Sequence, residues 1–506
     1  MEAGDGASAW IRRQRRRELG GPISSSTDKT KGSPCQQGYL ESSQAGKMMR
    51  YSIPNLPEDI WCHILSLVPL CDAARASCVS RAFLRTWRCR PNLILNQDTL
   101  RSSTHVSQAN FRHTLDCILR RHSGVGVKTL HLVLSDGIAN NCDLDSWLHV
   151  AVAPGIEELV LLPISEMIKY NFPCSLLSEG IRNSIRHLEL GYCTFRPTHE
   201  LCPLRSLTSL HLQTVGITGY ELECFFSYSR ALERLTLFDC QEIICLKIPC
   251  ELPQLSSLRV GGCRRLKVIE SKAPNLSYLN ITGKVKHSGE TLLMKHLGMH
   301  FENVVSYARS ELPSIFPNLE TLYLTSNNED VHTPMLPSKF MYLKQLTIST
   351  TSGLTFPPSY DYLSLVSFLD ASPLLETLVL DVTQVCMRHA SVCEDSSSLR
   401  QIDEHNYCCL KSVKISGFTS AKSLVELTCH ILKNAESLES VTLDTCYGLR
   451  CSEKNREWCF PLRDGIRKEA PRALKAIRTY ITDKVPATAK FSVLEPCRRC
   501  HKVRRS

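Results

Sequence analysis

An aliphatic residue, two others, an aliphatic, one other and an aliphatic: this spacing recurs twelve times between Val127 and Leu443. No other feature of the chain restricts its fold as much. The copies begin with Val127/Leu130/Leu132, Ile156/Leu159/Leu161, Ile185/Leu188/Leu190, Leu207/Leu210/Leu212, Leu232/Leu235/Leu237 and Leu255/Leu258/Val260. They continue with Leu276/Leu279/Ile281, Leu319/Leu322/Leu324, Leu343/Leu346/Ile348, Leu375/Leu378/Leu380, Leu410/Val413/Ile415 and Leu438/Val441/Leu443. Most start 21 to 35 residues after the one before. The last two residues of each copy are one position apart, so on a strand they point to the same side. One strand cannot bury that side alone. Stacked copies can, and they form a solenoid with a continuous apolar interior. Each fully buried Leu or Ile contributes roughly 1.5–3 kcal/mol, so stability accumulates along the array.

Three residues after the last aliphatic position stand Cys193, Cys240, Cys263 and Cys446, with Asn327 in the same place in another copy. This completes the L-x-x-L-x-L-x-x-N/C signature of leucine-rich repeats. A small residue is needed where the chain turns inward, and cysteine behaves there as a small hydrophobe, so these thiols read as structural. The interval from Leu279 to Leu322 is nearly two repeats long. Either 301–306 carries a degenerate copy or a loop is inserted there. Long intervals before Leu378 and Val413 point to further surface insertions.

A different pattern precedes the repeats. Between Leu56 and Trp87 runs LPEDIWCHILSLVPLCDAARASCVSRAFLRTW. Pro57 suits the first turn of a helix, where its missing N–H would go unpaired anyway. Glu58 and Asp59 favour the positive end of the helix dipole. Ile60, Ile64 and Leu67 follow at helical spacing. Pro69 closes this helix, and Asp72 is expected to cap a second one carrying Ala76, Val79, Phe83 and Trp87. About forty residues of short helices bury too little surface alone, so such a module is expected to complete its core against a partner.

Leu56-Pro57-Glu58-Asp59-Ile60, Ile64-Leu65, Leu67, Cys78-Val79-Ser80-Arg81 and Trp87 resemble an F-box, the module by which a substrate receptor docks onto the Skp1 adaptor of a cullin–RING ubiquitin ligase. The resemblance implies that Leu56, Pro57, Ile60, Ile64, Leu65, Val79 and Trp87 make or support the Skp1 contact. Cys71 and Asp72 stand where many F-boxes have a longer polar turn. Phe368–Pro373 with Leu375–Leu378, and the segment after Pro471, are similar to plant F-box/leucine-rich-repeat proteins of the FBD type. The implied partners are a Skp1-like adaptor, a cullin reached through it, and a target protein held by the repeats.

The domain organisation expected is a disordered basic tail over 1–50, the F-box over 51–95, a linker helix over 96–125, repeats over 126–450, and a C-terminal cap with basic tail over 451–506. Leu474, Ile477 and Ile481 lie at helical spacing after Pro471, and Phe491 and Val493 lie in an extended stretch; together they would cover the open end of the solenoid. The formal charge of +10 sits mostly in the tails. Residues 51–489 hold 45 Lys/Arg against 44 Asp/Glu, which argues against a nucleic-acid groove. No apolar run of about eighteen residues suggests a membrane span. Twenty-five cysteines, an odd number, occur without an export signal, so a reducing compartment is expected, nucleus or cytoplasm. Arg12–Arg17 has the spelling of a nuclear-import signal or of a solubilising tail.

Cys497-Arg498-Arg499-Cys500-His501 offers two or three ligands where structural zinc takes four, so neither a metal nor another cofactor is expected. No phosphate-binding glycine loop, paired-histidine motif or nucleophile elbow occurs. The chain therefore reads as a non-catalytic adaptor. The alternatives are a leucine-rich-repeat scaffold outside any ligase, or redox or metal chemistry at the terminal cysteines.

Overall fold

The structure, a computed structural model, describes residues 56–496 except 101–107, 123–125, 136–139, 164–169, 178, 198–203, 290–291, 330–331, 352–359, 384–389, 395–397, 401, 403–404 and 447–463. The expectations for 1–50, Arg12–Arg17, Cys497–His501 and the insertions at 352–359 and 384–389 lie outside the described residues.

Among these residues, fifteen strands form one parallel sheet in sequential order. They are β1 (Asn92–Leu95), β2 (Thr129–Leu134), β3 (Glu158–Pro163), β4 (His187–Gly191) and β5 (Ser209–Gln213). β6 (Arg234–Phe238), β7 (Ser257–Gly261), β8 (Tyr278–Thr282), β9 (His296–His300) and β10 (Thr321–Ser326) follow. The series ends with β11 (Gln345–Thr351), β12 (Thr377–Thr383), β13 (Ser412–Ser416), β14 (Ser440–Asp444) and β15 (Lys490–Leu494). The strand pairing keeps the aliphatic positions in register: Leu130, Leu159, Leu188, Leu210, Leu235 and Leu258 are successive partners, all essentially without solvent contact. Identical positions thus stack on identical positions, the condition for a solenoid.

Each strand from β2 to β14 is started by the same device. The N–H groups of two consecutive residues donate to one carbonyl of the previous copy, as Glu157 and Glu158 do to Lys128 at 2.8 and 3.0 Å. The residue after the strand then turns the chain out in a left-handed conformation at Tyr192, Thr214, Asp239, Gly262 and Gly283. Glycine adopts that region freely; the tyrosine, threonine and aspartate are strained there.

The sheet extends past both ends of the aliphatic series. β1 pairs with β2 through Leu93 and Leu95, and β15 pairs with β14 through Phe491 and Val493. The interval after Leu279 holds a degenerate copy, but at Met294/Leu297/Met299 on β9 rather than at 301–306, which leads into the helix Val304–Ile315. Methionine fills the aliphatic positions there. The buried carboxylate of Glu329 accepts from the Val305 N–H at 2.8 Å and satisfies the start of this helix. At the far end, the helix runs from Asp464 to Ala476, so Pro471 lies inside it instead of starting it. Glu469 on that helix accepts from the Ser420 N–H at 2.8 Å and from its hydroxyl at 2.6 Å.

The F-box region forms α1 (Glu58–Leu67), α2 (Leu70–Ser77) and α3 (Arg81–Arg88). Three expectations are corrected here. Pro57 is the residue before α1, not its first helical residue. Asp72 lies in the first turn of α2, paired with Arg75 at 2.9 Å, while Pro69 precedes that helix. The expected second helix is two, because Ser80 accepts from the Phe83 N–H at 3.1 Å and caps a new start. The module also completes much of its core within the chain: Leu70, Ala73 and Trp87 join Leu93 and Leu95 in the solenoid interior.

Candidate docking face and repeat surface

α1 divides its apolar residues between two sides. Ile60, Ile64 and Leu67, at i, i+4 and i+7, form one stripe and stay exposed, Ile60 by 43% and Leu67 by 74%. Leu56 and Pro57 are exposed immediately before the helix. On the other side Leu65 is buried, and the Trp61 ring meets Phe83 edge-on with centroids 4.7 Å apart. Val79 is 70% exposed, but in the turn between α2 and α3. Trp87 is buried against the solenoid, so Leu65 and Trp87 support the module from within and the other five expected residues face outward.

Two residues outside the expected contact set complete this site: Leu67, already placed on the helix by its spacing, and Arg90, which the sequence did not single out. Leu67 is the most exposed large apolar side chain of the α1 stripe, and its helical spacing was the available signal. Arg90 is 9% exposed, and its guanidinium donates to the carbonyls of Leu65, Ser66 and Val68 at 2.8, 3.2 and 2.8 Å. These are end carbonyls of α1 and its cap, which have no helical partner. The same guanidinium donates to Asn92 O at 3.2 Å, so one side chain ties α1 to β1. Burial lowers its pKa from a value high enough that it stays charged at neutral pH.

The sheet face opposite the core changes character along its length. On β2–β5, His131 lies 3.0 Å from Glu158, and Glu189 sits between His187 at 3.8 Å and His211 at 3.4 Å. The His131 ring at this distance holds the Glu158 carboxyl below its usual range, against burial. On β7–β10 the Arg259 guanidinium stacks over Tyr278 at 5.1 Å, His296 follows, and Tyr323 is exposed. On β11–β14 the outward positions are Gln345, Thr347, Thr377, Val379, Ser412, Lys414, Ser440 and Thr442. Such a surface offers hydrogen bonds, a cation and aromatic faces, the groups that recognise protein surfaces.

The repeat cysteines are buried. Cys240 Sγ lies 3.6 Å from the carbonyl of Leu212 in the preceding copy, and burial pushes the Cys193 thiol up to about 12. Among the described residues, no three His, Cys, Asp or Glu side chains are arranged to hold a metal ion, and no helix is long and apolar enough to cross a membrane.

An F-box domain model matches residues 53–95, the span of α1 to β1. The model of the At1g61320/AtMIF1 LRR domain matches residues 118–498, most of the chain. The chain belongs to this F-box/leucine-rich-repeat family. Its curated relatives include an F-box/LRR-repeat protein of Arabidopsis thaliana, 23% identical over 86% of this chain and 69% of the relative. An FBD-associated F-box protein of the same plant is 25% identical over 77% of this chain and 88% of its own length. A putative F-box/FBD/LRR-repeat protein, also from Arabidopsis thaliana, is 24% identical over 77% and 89%. In this F-box/LRR protein the F-box match ends on β1, so the docking module and the first repeat strand are one continuous piece of structure.

Proposed function

We propose that this chain is the substrate-recognition subunit of a Skp1–cullin–F-box ubiquitin ligase. Leu56, Pro57, Ile60, Ile64 and Val79 contact the Skp1-like adaptor, with Leu65 and Trp87 holding the module in shape. The repeat surface holds the target protein. The observation that carries this reading is the exposed stripe of α1, in a chain whose recurring aliphatic positions are buried from β2 to β14. Burying an exposed Leu or Ile against a partner is worth roughly 1.5–3 kcal/mol each, enough for a small central cluster to dominate an interface.

The chain would supply no catalytic group. Its contribution is proximity: a target on the repeats meets the ubiquitin-loaded enzyme at an effective concentration set by geometry. Rigid connection matters for that, and Arg90 and Trp87 supply it by joining α1 and α3 to β1. We place the protein in the nucleus or cytoplasm, since all the described cysteines are free thiols and reducing compartments keep them so. Affinity purification of the full chain from plant cells tests the proposal. Recovery of a Skp1-like protein and a cullin, and of further ubiquitinated proteins that accumulate when 51–95 is deleted, is expected. Recovery of neither ligase component would leave a repeat scaffold instead.

A further inference from the structure

Near-neutrality of the body conceals a local imbalance. Residues 245–286 hold eight Lys/Arg against two Asp/Glu, while the rest of 51–489 holds 37 against 42. The fold gathers most of these cations on one edge, just past the ends of β7 and β8. Arg264 and Arg265 occupy the turn closed by the Leu266 N–H to Cys263 O bond at 3.0 Å. Lys267 donates its N–H to Ile244 O at 2.9 Å, and Lys286 donates to Lys267 O at 3.0 Å. Lys284 follows the left-handed Gly283. Arg264, Arg265, Lys267, Lys284 and Lys286 are all exposed.

Elsewhere the repeat cations are used inside the fold: Lys128 pairs with Glu157, Lys295 and Lys344 with Glu320, and Arg196 with Glu221 and Glu242. No ion pair is formed by the five edge residues among the described residues. Three short parallel strands, Cys245–Ile248, Val268–Ser271 and Lys286–Gly289, run along this edge. With neighbours about 4.8 Å apart the five like charges repel one another, Glu270 being the one carboxylate on these strands. Beside them Ile244 is 47% exposed.

We propose that this edge is the docking site for a short acidic segment of the target protein, an extended run of Asp or Glu with a neighbouring apolar residue for Ile244. The proposal rests on reading the repeats as the target-binding surface. A protein segment fits better than nucleic acid. The basic area spans only two copies, and a phosphate backbone running beyond it would meet a body in which acids outnumber bases.

The test uses the full chain bound to its Skp1-like adaptor and a fluorescent peptide of alternating glutamates with one leucine. A single-stranded oligonucleotide of equal charge is the comparison. The peptide is expected to bind, to weaken with salt, and to lose at least about tenfold in affinity with R264E/R265E/K267E and with K284E/K286E. Adaptor binding and circular dichroism should stay unchanged. If a reversal variant misfolds, R264Q/R265Q/K267Q replaces it, with a smaller loss in the same direction. Equal peptide binding by wild type and variants, no peptide binding, or tighter binding of the oligonucleotide would overturn the proposal. Edge-dependent peptide binding by a chain that fails to hold the adaptor would overturn the ligase reading and leave this one standing.

Discussion

Replacing Arg90 with methionine should loosen α1 while leaving the repeats folded. Methionine keeps the length and the apolar stem but leaves the carbonyls of Leu65, Ser66 and Val68 without their donor. A hydrogen bond to a charged group is worth roughly 1.5–3 kcal/mol, and an orphaned buried acceptor costs about 1–3 kcal/mol. The three share one guanidinium, and Ser66 is half-buried, so water recovers part of the loss; about 3 kcal/mol is expected for detachment of α1. That corresponds to roughly a hundredfold rise in the opening equilibrium. Hydrogen exchange of the 58–68 amides, read against those of β4–β8, measures it directly. Lysine at position 90 should recover only part, because one ammonium cannot reproduce the fork. Unchanged exchange in α1, or equal acceleration in α1 and the strands, would refute the idea that Arg90 is the local tie between module and solenoid.

Arg400→Met should destabilise the chain by about 3–5 kcal/mol in urea unfolding, because Glu426, with a fully buried side chain, loses its partner at 2.7 Å. The same arginine holds the Asp361 carboxyl below its usual range despite burial. That contribution is present in full above the unfolded aspartate value of about 3.9 and is lost as pH falls from there through the folded value, so the acid limb of the wild-type stability curve should flatten in the variant. Cys240→Ser should cost roughly 1–3 kcal/mol by burying a hydroxyl, whereas Ser at the exposed Cys78 should leave the melting temperature unchanged. Thr214→Gly should stabilise by about 1 kcal/mol, since the left-handed conformation costs a threonine roughly 1–2 kcal/mol and glycine already serves at the equivalent Gly262 and Gly283. A lower midpoint for this variant would show that the turn is not strained.

What could be read from the sequence followed from chemistry repeated many times. The aliphatic spacing located twelve strands and their common face because each copy needs its neighbours to bury the same positions. The copies it missed are those with other residues at those positions. The first has Arg90 where the others have an aliphatic residue, Met294 and Met299 replace aliphatics on β9, and Phe491 stands at the last. The short parallel strands Cys245–Ile248, Val268–Ser271 and Lys286–Gly289 share no pattern with one another; only pairing between copies forms them. In the F-box the exposed stripe of α1 was legible from helical spacing. The break at Val79–Ser80 was not, because a single capping serine outweighed a continuous apolar pattern. The burial of Trp87 depends on β1, a strand of four residues that ends 32 residues before the first repeat signal at Val127.

Direct binding of the purified chain to a Skp1-like adaptor, with and without the α1 stripe, bears on the proposed function most closely. Ile60→Glu with Ile64→Glu and Leu67→Glu changes only exposed positions, so the fold should survive with its melting temperature little altered. Calorimetric titration is expected to show binding by the wild type and its loss by at least about a hundredfold in the triple variant, from three buried contacts replaced by desolvated charges. Full affinity in a folded triple variant, or no binding by the wild type, would contradict the assignment of this face as the adaptor site.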